Sequence, residues 1–249
     1  MTQQLKEILI ANAGLYETSD FLQGDPSWFM HQVSGKLNQE AMAFVASVLS
    51  YGNRQQFMPK IQSLLELSQY QMHSWIHDGT FRHTFPDDNS CFYRLYTNHQ
   101  MTLFFEAYQH LMQQYGSLGD YIRLNAKTGF EAVEAISRYF SGQGITGIIP
   151  KDTASPCKRI CMFLRWMVRT DSPVDLGIWE FIDKRTLIIP LDTHVMQQAQ
   201  SLGLLTGRTT TMNTAIRLTR QLSEAFPDDP LKADFALFGY GVNHKQTDA

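Results

Sequence analysis

The spacing of apolar residues is the feature that most restricts the fold of this chain. Apolar side chains recur every three or four residues through most of the sequence, and few segments alternate with a period of two. The first spacing lines one face of an α-helix, whereas the second lines one face of a β-strand. We therefore predict an all-α fold.

The same spacing, interrupted by proline and glycine, sets the expected helices. A first helix carries Leu5, Ile8, Leu9 and Ala13 on its apolar face, and a second is expected to begin at Asn38, a residue type that suits an N-cap. The further helices are expected over 54–67, 69–78, 90–115, 129–140, 155–169, 192–201, 208–225 and 230–240. The third of these ten segments is expected to turn inwards Phe57, Ile61, Leu64 and Leu65.

Length and hydropathy limit the class of protein. The 249 residues suffice for one sizeable domain, or for two small lobes that share a core. No apolar run approaches the ~20 residues that a membrane-crossing helix needs. The opening residues, MTQQLKEILIANAG, place Glu7 inside a short apolar run and do not read as a secretory signal peptide. We expect a cytoplasmic protein with no membrane contact.

The number of cysteines bears on disulfide bonds and on metal clusters. Three cysteines, an odd and low number, argue against a disulfide framework and exclude a four-cysteine iron–sulfur cluster within one chain. Cys157 and Cys161, four residues apart on an expected helix, would form a partial metal site with His194, but they lack a fourth ligand. Buried thiols are the favoured interpretation, and we expect no metal and no cofactor.

Charge is distributed unevenly along a chain whose net charge is −3. Residues 1–150 carry 9 basic and 13 acidic side chains, residues 151–220 carry 10 and 6, and residues 221–249 carry 2 and 5. The basic excess is therefore confined to one stretch, where contacts to phosphates would lie.

The segment SPCKRICMFLRWMVR (155–169) places a lysine at an expected helix start. Ser155 is expected to cap this helix and Pro156 to take its first position, so that Lys158 lies in the first turn. The positive end of the helix dipole disfavours a cation there and favours the neutral amine that a nucleophilic lysine requires. The alternative is a solvated charged face formed by Lys158, Arg159, Arg165 and Arg169.

The segment LIIPLDTHVMQQAQSLGLL (187–205) begins a second helix of interest. Asp192 follows a short apolar run and precedes an amphipathic helix, so an N-cap is its default role. His194 lies beside it, either as part of an acid–base group with Lys158 and Asp192 or simply packed near the helix start.

These two segments resemble a known superfamily. PLDTHV (190–195) is similar to the Val-Asp-Thr-His-Val/Ile motif of the helix-hairpin-helix DNA glycosylases, which include endonuclease III and the 8-oxoguanine glycosylases. The wider pattern resembles an uncharacterised bacterial family placed within that superfamily, and it comprises CKRICMFLRWMVR (157–169), VDLGIW (174–179), LIIPLDTHV (187–195) and KADFALFGYG (232–241).

The resemblance implies a bifunctional DNA glycosylase and AP lyase. Lys158 would attack the sugar C1′ of a flipped nucleotide, expel the base and form a Schiff base, with Asp192 as its catalytic partner. Asn53 and Arg54, in the loop YGNR (51–54), would fill the gap left by the flipped base, although a glycine helix stop explains this loop equally well. Arg159 and His194 are further expected DNA contacts.

The base pocket implied by the resemblance draws on two helices. Met162 lies one turn after the lysine, where 8-oxoguanine glycosylases contact the base. Asp234 and Phe238, four apart on one face of the last helix, would supply the polar group and the aromatic ring that the archaeal branch uses. The alternative is a surface Asp234 and a core Phe238.

Two departures from the superfamily pattern narrow the comparison. The usual Leu-Pro-Gly-Val-Gly hairpin before the lysine is replaced by KDTASPCKR, and Lys158 and Asp192 lie 34 positions apart. Both features resemble the archaeal 8-oxoguanine glycosylase branch and favour an oxidised purine as substrate. The implied fold has two helical lobes with a cleft between them within one domain (1–249), one lobe being 38–190 and the other 1–37 with 191–249.

The resemblance implies damaged DNA, duplex or single-stranded, as the partner of a monomeric DNA-repair enzyme. A different hypothesis is a non-catalytic nucleic-acid-binding protein that keeps the scaffold without the chemistry. It needs the basic stretch but not the amine, and it predicts salt-dependent binding without turnover. A third is an unrelated helical enzyme or interaction protein in which Asp192 only caps a helix.

Overall fold

The computed structural model describes residues 1–86, 88–207 and 209–245, with side chains up to residue 241. Helices dominate it, which confirms the predicted helical class. Its α-helices are α1 (Gln3–Tyr16), α2 (Lys36–Leu49), α3 (Arg54–Leu67), α4 (Met72–His77), α5 (Asn98–Tyr115), α6 (Leu118–Asn125), α7 (Gly129–Gly142), α8 (Lys158–Val168), α9 (Thr193–Ser201), α10 (Met212–Leu222) and α11 (Lys232–Lys245). Short 3-10 helices cover Ser19–Leu22, Pro26–His31, Thr80–His83 and Lys184–Thr186, and a hairpin consists of β1 (Cys91–Tyr93) and β2 (Tyr96–Thr97).

The chain divides into two compact units, which are made of interleaved segments. Unit 1 comprises residues 1–23, 127–133 and 153–249, and unit 2 comprises residues 24–126 and 134–152. In this division residues 153–190 group with both ends of the chain, whereas the predicted lobes place them with residues 38–152.

Unit 2 has a core of aromatic rings contributed by α2, α5 and α7. Phe44, Phe104, Tyr108 and Phe140 are all fully buried and contact one another, with ring centroids 5.1 to 6.4 Å apart. The buried carboxylate of Glu40 accepts hydrogen bonds from the first backbone N–H groups of α6, at 2.9 and 3.1 Å. It therefore satisfies donors that a helix start leaves unpaired.

Unit 1 is built around α8, which is buried on every side from Ile160 to Val168. A helix that is enclosed all round forms the centre of its unit rather than one wall of it. Helix α11 packs against both α1 and α9. The predicted site residues Lys158, Asp192 and Asp234 lie where α8, α9 and α11 begin.

Several expected elements are confirmed. Helix α3 has the predicted bounds, and its four predicted inward residues are buried. Helix α1 covers the first predicted segment and buries Leu9 and Ala13. Asp192 is the N-cap of α9, where its side chain accepts a hydrogen bond from Val195 N at 2.9 Å.

The predicted start of the second helix is wrong. Helix α2 begins at Lys36 after Gly35, and Asn38 lies within its first turn rather than at the cap. The Asn38 side chain instead donates to Tyr70 O at 2.8 Å and accepts from His73 N at 3.2 Å. Its amide pairs with a distant stretch of backbone, a role that local sequence does not reveal.

The helix predicted over 90–115 is wrong at its start. Residues 91–97 form the β1–β2 hairpin, in which Arg94 adopts a left-handed φ of +52° that a tight turn permits. Thr97 then opens α5 with a capping box shared with Gln100.

Two further helices differ from the prediction. Helix α6 was not predicted. The segment predicted over 208–225 is helical only over Met212–Leu222, and Arg208 lies outside the described residues.

The start of α8 also differs from its prediction. The helix begins at Lys158, and Cys157 before it has a left-handed φ of +46° and does not cap the first turn through its side chain. A left-handed residue interrupts helical hydrogen bonding, so Ser155 and Pro156 lie outside the helix. Lys158 still lies in the first turn, as predicted. Within the described ranges, none of the helices combines the length and apolarity needed to cross a bilayer.

Candidate active site

Lys158 is the first residue of α8, so its side chain extends from the first turn of that helix. Helix α8 is held in place by its apolar side chains, among them Phe163, whose ring meets that of Trp179 edge-on at 5.3 Å. The side chain of Lys158 itself is about one-third exposed, at 34%. A rigid, buried helix therefore presents one accessible amine at its start.

The chain after α8 returns to the start of the same helix. Leu176 N and Trp179 N donate to the carbonyls of Trp166 and Met167, which fixes this segment against the end of α8. Residues 187–191 are then buried, and Ile189 N donates to Thr219 Oγ1 of α10 at 3.0 Å. This path brings position 192 back to position 158.

Lys158 Nζ lies 3.4 Å from Asp192 Oδ2. The other carboxylate oxygen of Asp192 caps α9, so the two oxygens serve different purposes. The Asp192 side chain is 37% exposed, which leaves the pair open to a substrate. The structure thus brings together the two predicted catalytic residues, a primary amine and a carboxylate within proton-transfer reach through slight adjustment or one water.

Asp234, in the first turn of α11, is the second carboxylate of the site. Burial raises the pKa of Asp234, and the positive charge of Arg165 opposes that rise. The negative charge of Asp192 raises the pKa further, whereas the positive charge of Lys158 lowers it. These interactions place Asp234 within electrostatic range of both members of the pair. Three helix starts therefore meet here, and helix starts attract anions such as phosphate.

Asp234 belongs to a buried network of ion pairs. Arg165 contacts Asp234 and also donates through Nε to Asp175 Oδ1 at 3.2 Å. Arg169, one turn later, contacts the other oxygen of Asp175. Both guanidinium groups are nearly inaccessible to solvent. The alternative interpretation of α8, a solvated face that includes these two arginines, is therefore wrong for them.

Arg169 ties α8 to two further segments of unit 1. It donates to both oxygens of Asp229 at 2.8 Å and to Glu17 Oε1 at 2.7 Å. Burial alone lowers the pKa of Arg169, but the hydrogen bonds and charges of Asp229, Asp175 and Glu17 outweigh it and hold that pKa above its ordinary value. Sequence reasoning missed this network, because its carboxylates are scattered from position 17 to position 234.

An aromatic wall adjoins the two carboxylates. Phe238, one turn after Asp234, is half-buried and meets the rings of Phe21 and Tyr16 edge-on, at 5.1 and 5.9 Å. The His194 ring lies 6.5 Å from that of Phe238. The alternative of a surface Asp234 is wrong, since its side chain is only 15% exposed, and Phe238 is partly rather than fully enclosed.

The other predicted contacts fall into two groups, one on α8 after Lys158 and one in unit 2. Met162 is buried on α8, one turn after the lysine, and Arg159 is half-buried beside that lysine. Asn53 and Arg54 lie in unit 2, where both are exposed. Asn53 caps α3 by accepting from Gln55 N at 2.9 Å, and Arg54 pairs with Asp25 at 3.5 Å.

Cys157 and Cys161 fit the interpretation as buried thiols, whereas Cys91 is exposed. Cys157 and Cys161 are both buried and not joined in a disulfide, and burial raises the pKa of the Cys161 thiol far above its ordinary value. Metals bind the thiolate, so this burial disfavours ligation. In the described part of the chain, no group of three or more histidine, cysteine or acidic side chains is arranged to hold a metal ion.

Comparison with known protein families gives a match over most of the chain. Neither the search of curated proteins nor the search of solved structures returned a similar protein. A family profile described as "protein of unknown function (DUF2400)" matches residues 25–243, which include Lys158, Asp192 and Asp234. Because that match spans well over half of the chain, the protein belongs to the DUF2400 family.

Proposed function

We propose that this protein is a DNA glycosylase and AP lyase that removes an oxidised purine, such as 8-oxoguanine, through a Schiff base on Lys158. The observation that carries the proposal is the 3.4 Å approach of Lys158 Nζ to Asp192 Oδ2, with both side chains about one-third exposed at adjoining helix starts. The helix-hairpin-helix glycosylase scaffold is part of the proposal, on the strength of the PLDTHV motif.

The first step uses both members of the pair. The neutral amine of Lys158 attacks C1′ of a flipped nucleotide, and the C1′–N bond breaks with its electron pair going to the departing base. Asp192 accepts a proton from the attacking nitrogen, and the base gains a proton from this carboxyl group or from water. Asp192 also stabilises the positive charge that develops on the sugar.

The second step opens the sugar ring and cleaves the DNA strand. The C1′–O4′ bond breaks, O4′ takes up a proton, and a cationic Schiff base links C1′ to Nζ. Loss of a proton from C2′ then breaks the C3′–O bond and releases the 3′ phosphate, after which water hydrolyses the Schiff base and frees the lysine. The carboxylates of Asp192 and Asp234 both favour the cationic intermediate electrostatically.

The remaining predicted residues have roles in substrate binding. Met162, Asp234 and Phe238 form the proposed base pocket, in which Phe238 offers a ring for stacking. His194 and Arg159 flank the catalytic pair, where the phosphates beside the flipped nucleotide would lie. Asn53 and Arg54 are proposed as further DNA contacts from unit 2.

Borohydride trapping tests the proposal directly, because borohydride reduces a Schiff base to a stable covalent adduct. Oligonucleotides carrying 8-oxoguanine, an abasic site, an oxidised pyrimidine, uracil or no lesion are incubated with the protein as duplexes and as single strands. We expect a trapped adduct with 8-oxoguanine and abasic substrates. Lys158→Ala should abolish it, whereas Lys151→Ala, which removes another exposed lysine, should not.

Two results would contradict the proposal. Full activity in a folded Lys158→Ala protein would show that another group is the nucleophile. No adduct with any substrate, combined with binding that weakens steeply as salt rises, would instead favour the non-catalytic nucleic-acid-binding protein.

A further inference from the structure

Arg165 is held on three sides within unit 1. Its Nη1 contacts Asp234 Oδ2, its Nε donates to Asp175 Oδ1 at 3.2 Å, and its guanidinium carbon lies 4.7 Å above the ring of Phe235. A planar guanidinium bonded to two carboxylates and stacked on a ring has little freedom to reorient. Arg165 therefore fixes the carboxylate that it touches.

Asp234 is the member of the ion-pair network that reaches the catalytic pair. Its side chain is 15% exposed, whereas that of Asp175, on the other side of Arg165, is fully enclosed. It interacts electrostatically with both Lys158 and Asp192. Contacts from Asp175 to Arg165 and from Arg165 to Asp234 thus connect the buried interior of unit 1 to its candidate site.

We propose that Arg165 is a positioning residue, which holds the Asp234 carboxylate in place beside the pair formed by Lys158 and Asp192. This inference rests on the proposed function, since the reaction it serves is Schiff-base formation on Lys158. Asp234 then presents a fixed negative charge to the cationic intermediate. A preorganised charge of this kind lowers the barrier because it does not have to reorient during the reaction.

Arg169 provides a matched control on the same helix. It is as deeply buried as Arg165, shares Asp175 with it and also lies over the Phe235 ring, at 5.3 Å. Its other carboxylates are Asp229 and Glu17 rather than Asp234. Arg169→Lys therefore disturbs the same network without touching the carboxylate that reaches the site.

A double-mutant cycle in single-turnover trapping assays decides whether Arg165 acts through Asp234. We expect Asp234→Asn and Arg165→Lys each to slow trapping about 10-fold or more, since small misplacements at a reacting centre have effects of that size. In the Asp234→Asn background, Arg165→Lys should cause no further loss, because residues that act as one unit are not additive. Arg169→Lys should trap at the rate of the wild type.

Two outcomes would overturn the inference. The first is that Arg165→Lys slows trapping equally in both backgrounds, and the second is that Arg169→Lys slows trapping as much as Arg165→Lys does. Either result would reduce Arg165 to a structural role. If Arg165→Lys does not fold, Asp175→Asn replaces it in the cycle, since Asp175 fixes the other side of the same guanidinium. Wild-type protein that forms no adduct rejects the proposed function itself.

A second measurement does not depend on activity. Carboxyl NMR of the free protein reports the titration of Asp234, whose pKa is raised by burial and by Asp192 and is held down by Arg165 and Lys158. Lysine at position 165 cannot span Asp175 and Asp234, so Arg165→Lys should move that titration to higher pH. Arg169→Lys should leave it in place, and an unmoved titration in Arg165→Lys would refute the coupling.

Discussion

The Asp192 carboxylate combines a structural role, capping a helix, with the proposed chemical role beside Lys158. Oδ1 accepts from Val195 N and begins α9, while Oδ2 faces the amine of Lys158. Asparagine caps helices about as well as aspartate, but it carries no charge and accepts no proton at its amide nitrogen. The two roles are therefore separable by substitution.

We predict that Asp192→Asn keeps the fold and loses the chemistry. Its free energy of unfolding should stay near that of the wild type, whereas Asp192→Ala should lose ~1 kcal/mol through the missing cap. Neither variant should form the borohydride-trapped adduct. Urea denaturation gives the first quantity and the trapping assay the second. Normal trapping by Asp192→Asn would exclude the carboxylate from catalysis.

Helix α11 depends on glycine where it meets its neighbours. A Cβ at Gly239 would lie 2.1 Å from Tyr16 Cδ2, and one at Gly241 would lie 2.5 Å from His194 Cε1. Both distances are far below van der Waals contact, so a larger residue would displace these rings. The two glycines allow the rings of α1 and α9 to lie directly against the helix that carries Asp234 and Phe238.

We predict that Gly239→Ala destabilises the protein by about 1–3 kcal/mol, the usual range for overpacking a filled interior. Gly14→Ala is the matched control, because Gly14 is an exposed residue of α1 with no neighbour within 4 Å of an added Cβ. That substitution should stabilise by about 0.5–1 kcal/mol through helix propensity. Thermal denaturation distinguishes the two, and equal effects at both positions would refute the packing argument.

The fold shows that part of the basic excess in the sequence is not on the surface. Residues 151–220 hold the basic excess, but Arg165 and Arg169 from that stretch are buried against carboxylates. They neutralise interior acids rather than form a surface for phosphates. The basic surface that could attract an anionic partner is therefore smaller than the sequence count implies, and the helix starts at the site are a second source of attraction for anions.

We predict that stability falls as the pH decreases from 7 to 5, in part through His73. Burial lowers the pKa of His73, His77 lowers it further, and a backbone hydrogen bond to Gly116 and the charge of Asp78 oppose the change. The unfolded chain then takes up a proton near pH 6.5 before the folded protein does, which favours unfolding as pH falls. Its Nε2 is buried and lacks a hydrogen-bond partner among the described residues.

Urea denaturation at pH 7, 6 and 5 checks this prediction. His73→Gln should flatten the dependence on pH, because glutamine does not titrate. His110→Gln is the control, since His110 is an exposed histidine of α5. An unchanged pH dependence in His73→Gln would show that other groups account for it.

The sequence by itself determined the features that depend on near neighbours. Apolar spacing predicted most helices, including the bounds of α3, because helix formation is governed by residues three and four apart. The N-cap role of Asp192 and the first-turn position of Lys158 are equally local. The hairpin over 91–97 and the left-handed Cys157 escaped prediction, because one conformation at Arg94 or Cys157 overrides the surrounding pattern.

Only the tertiary structure decided which charges are buried and which meet. The ion pair of Lys158 and Asp192 depends on the path of residues 169–191 along α8 and back, and no local rule sets that path. Arg165 and Arg169 read as solvated side chains until carboxylates from distant segments are placed around them. Burial of a charge is stable only with partners, and their positions are a property of the folded chain rather than of any one segment.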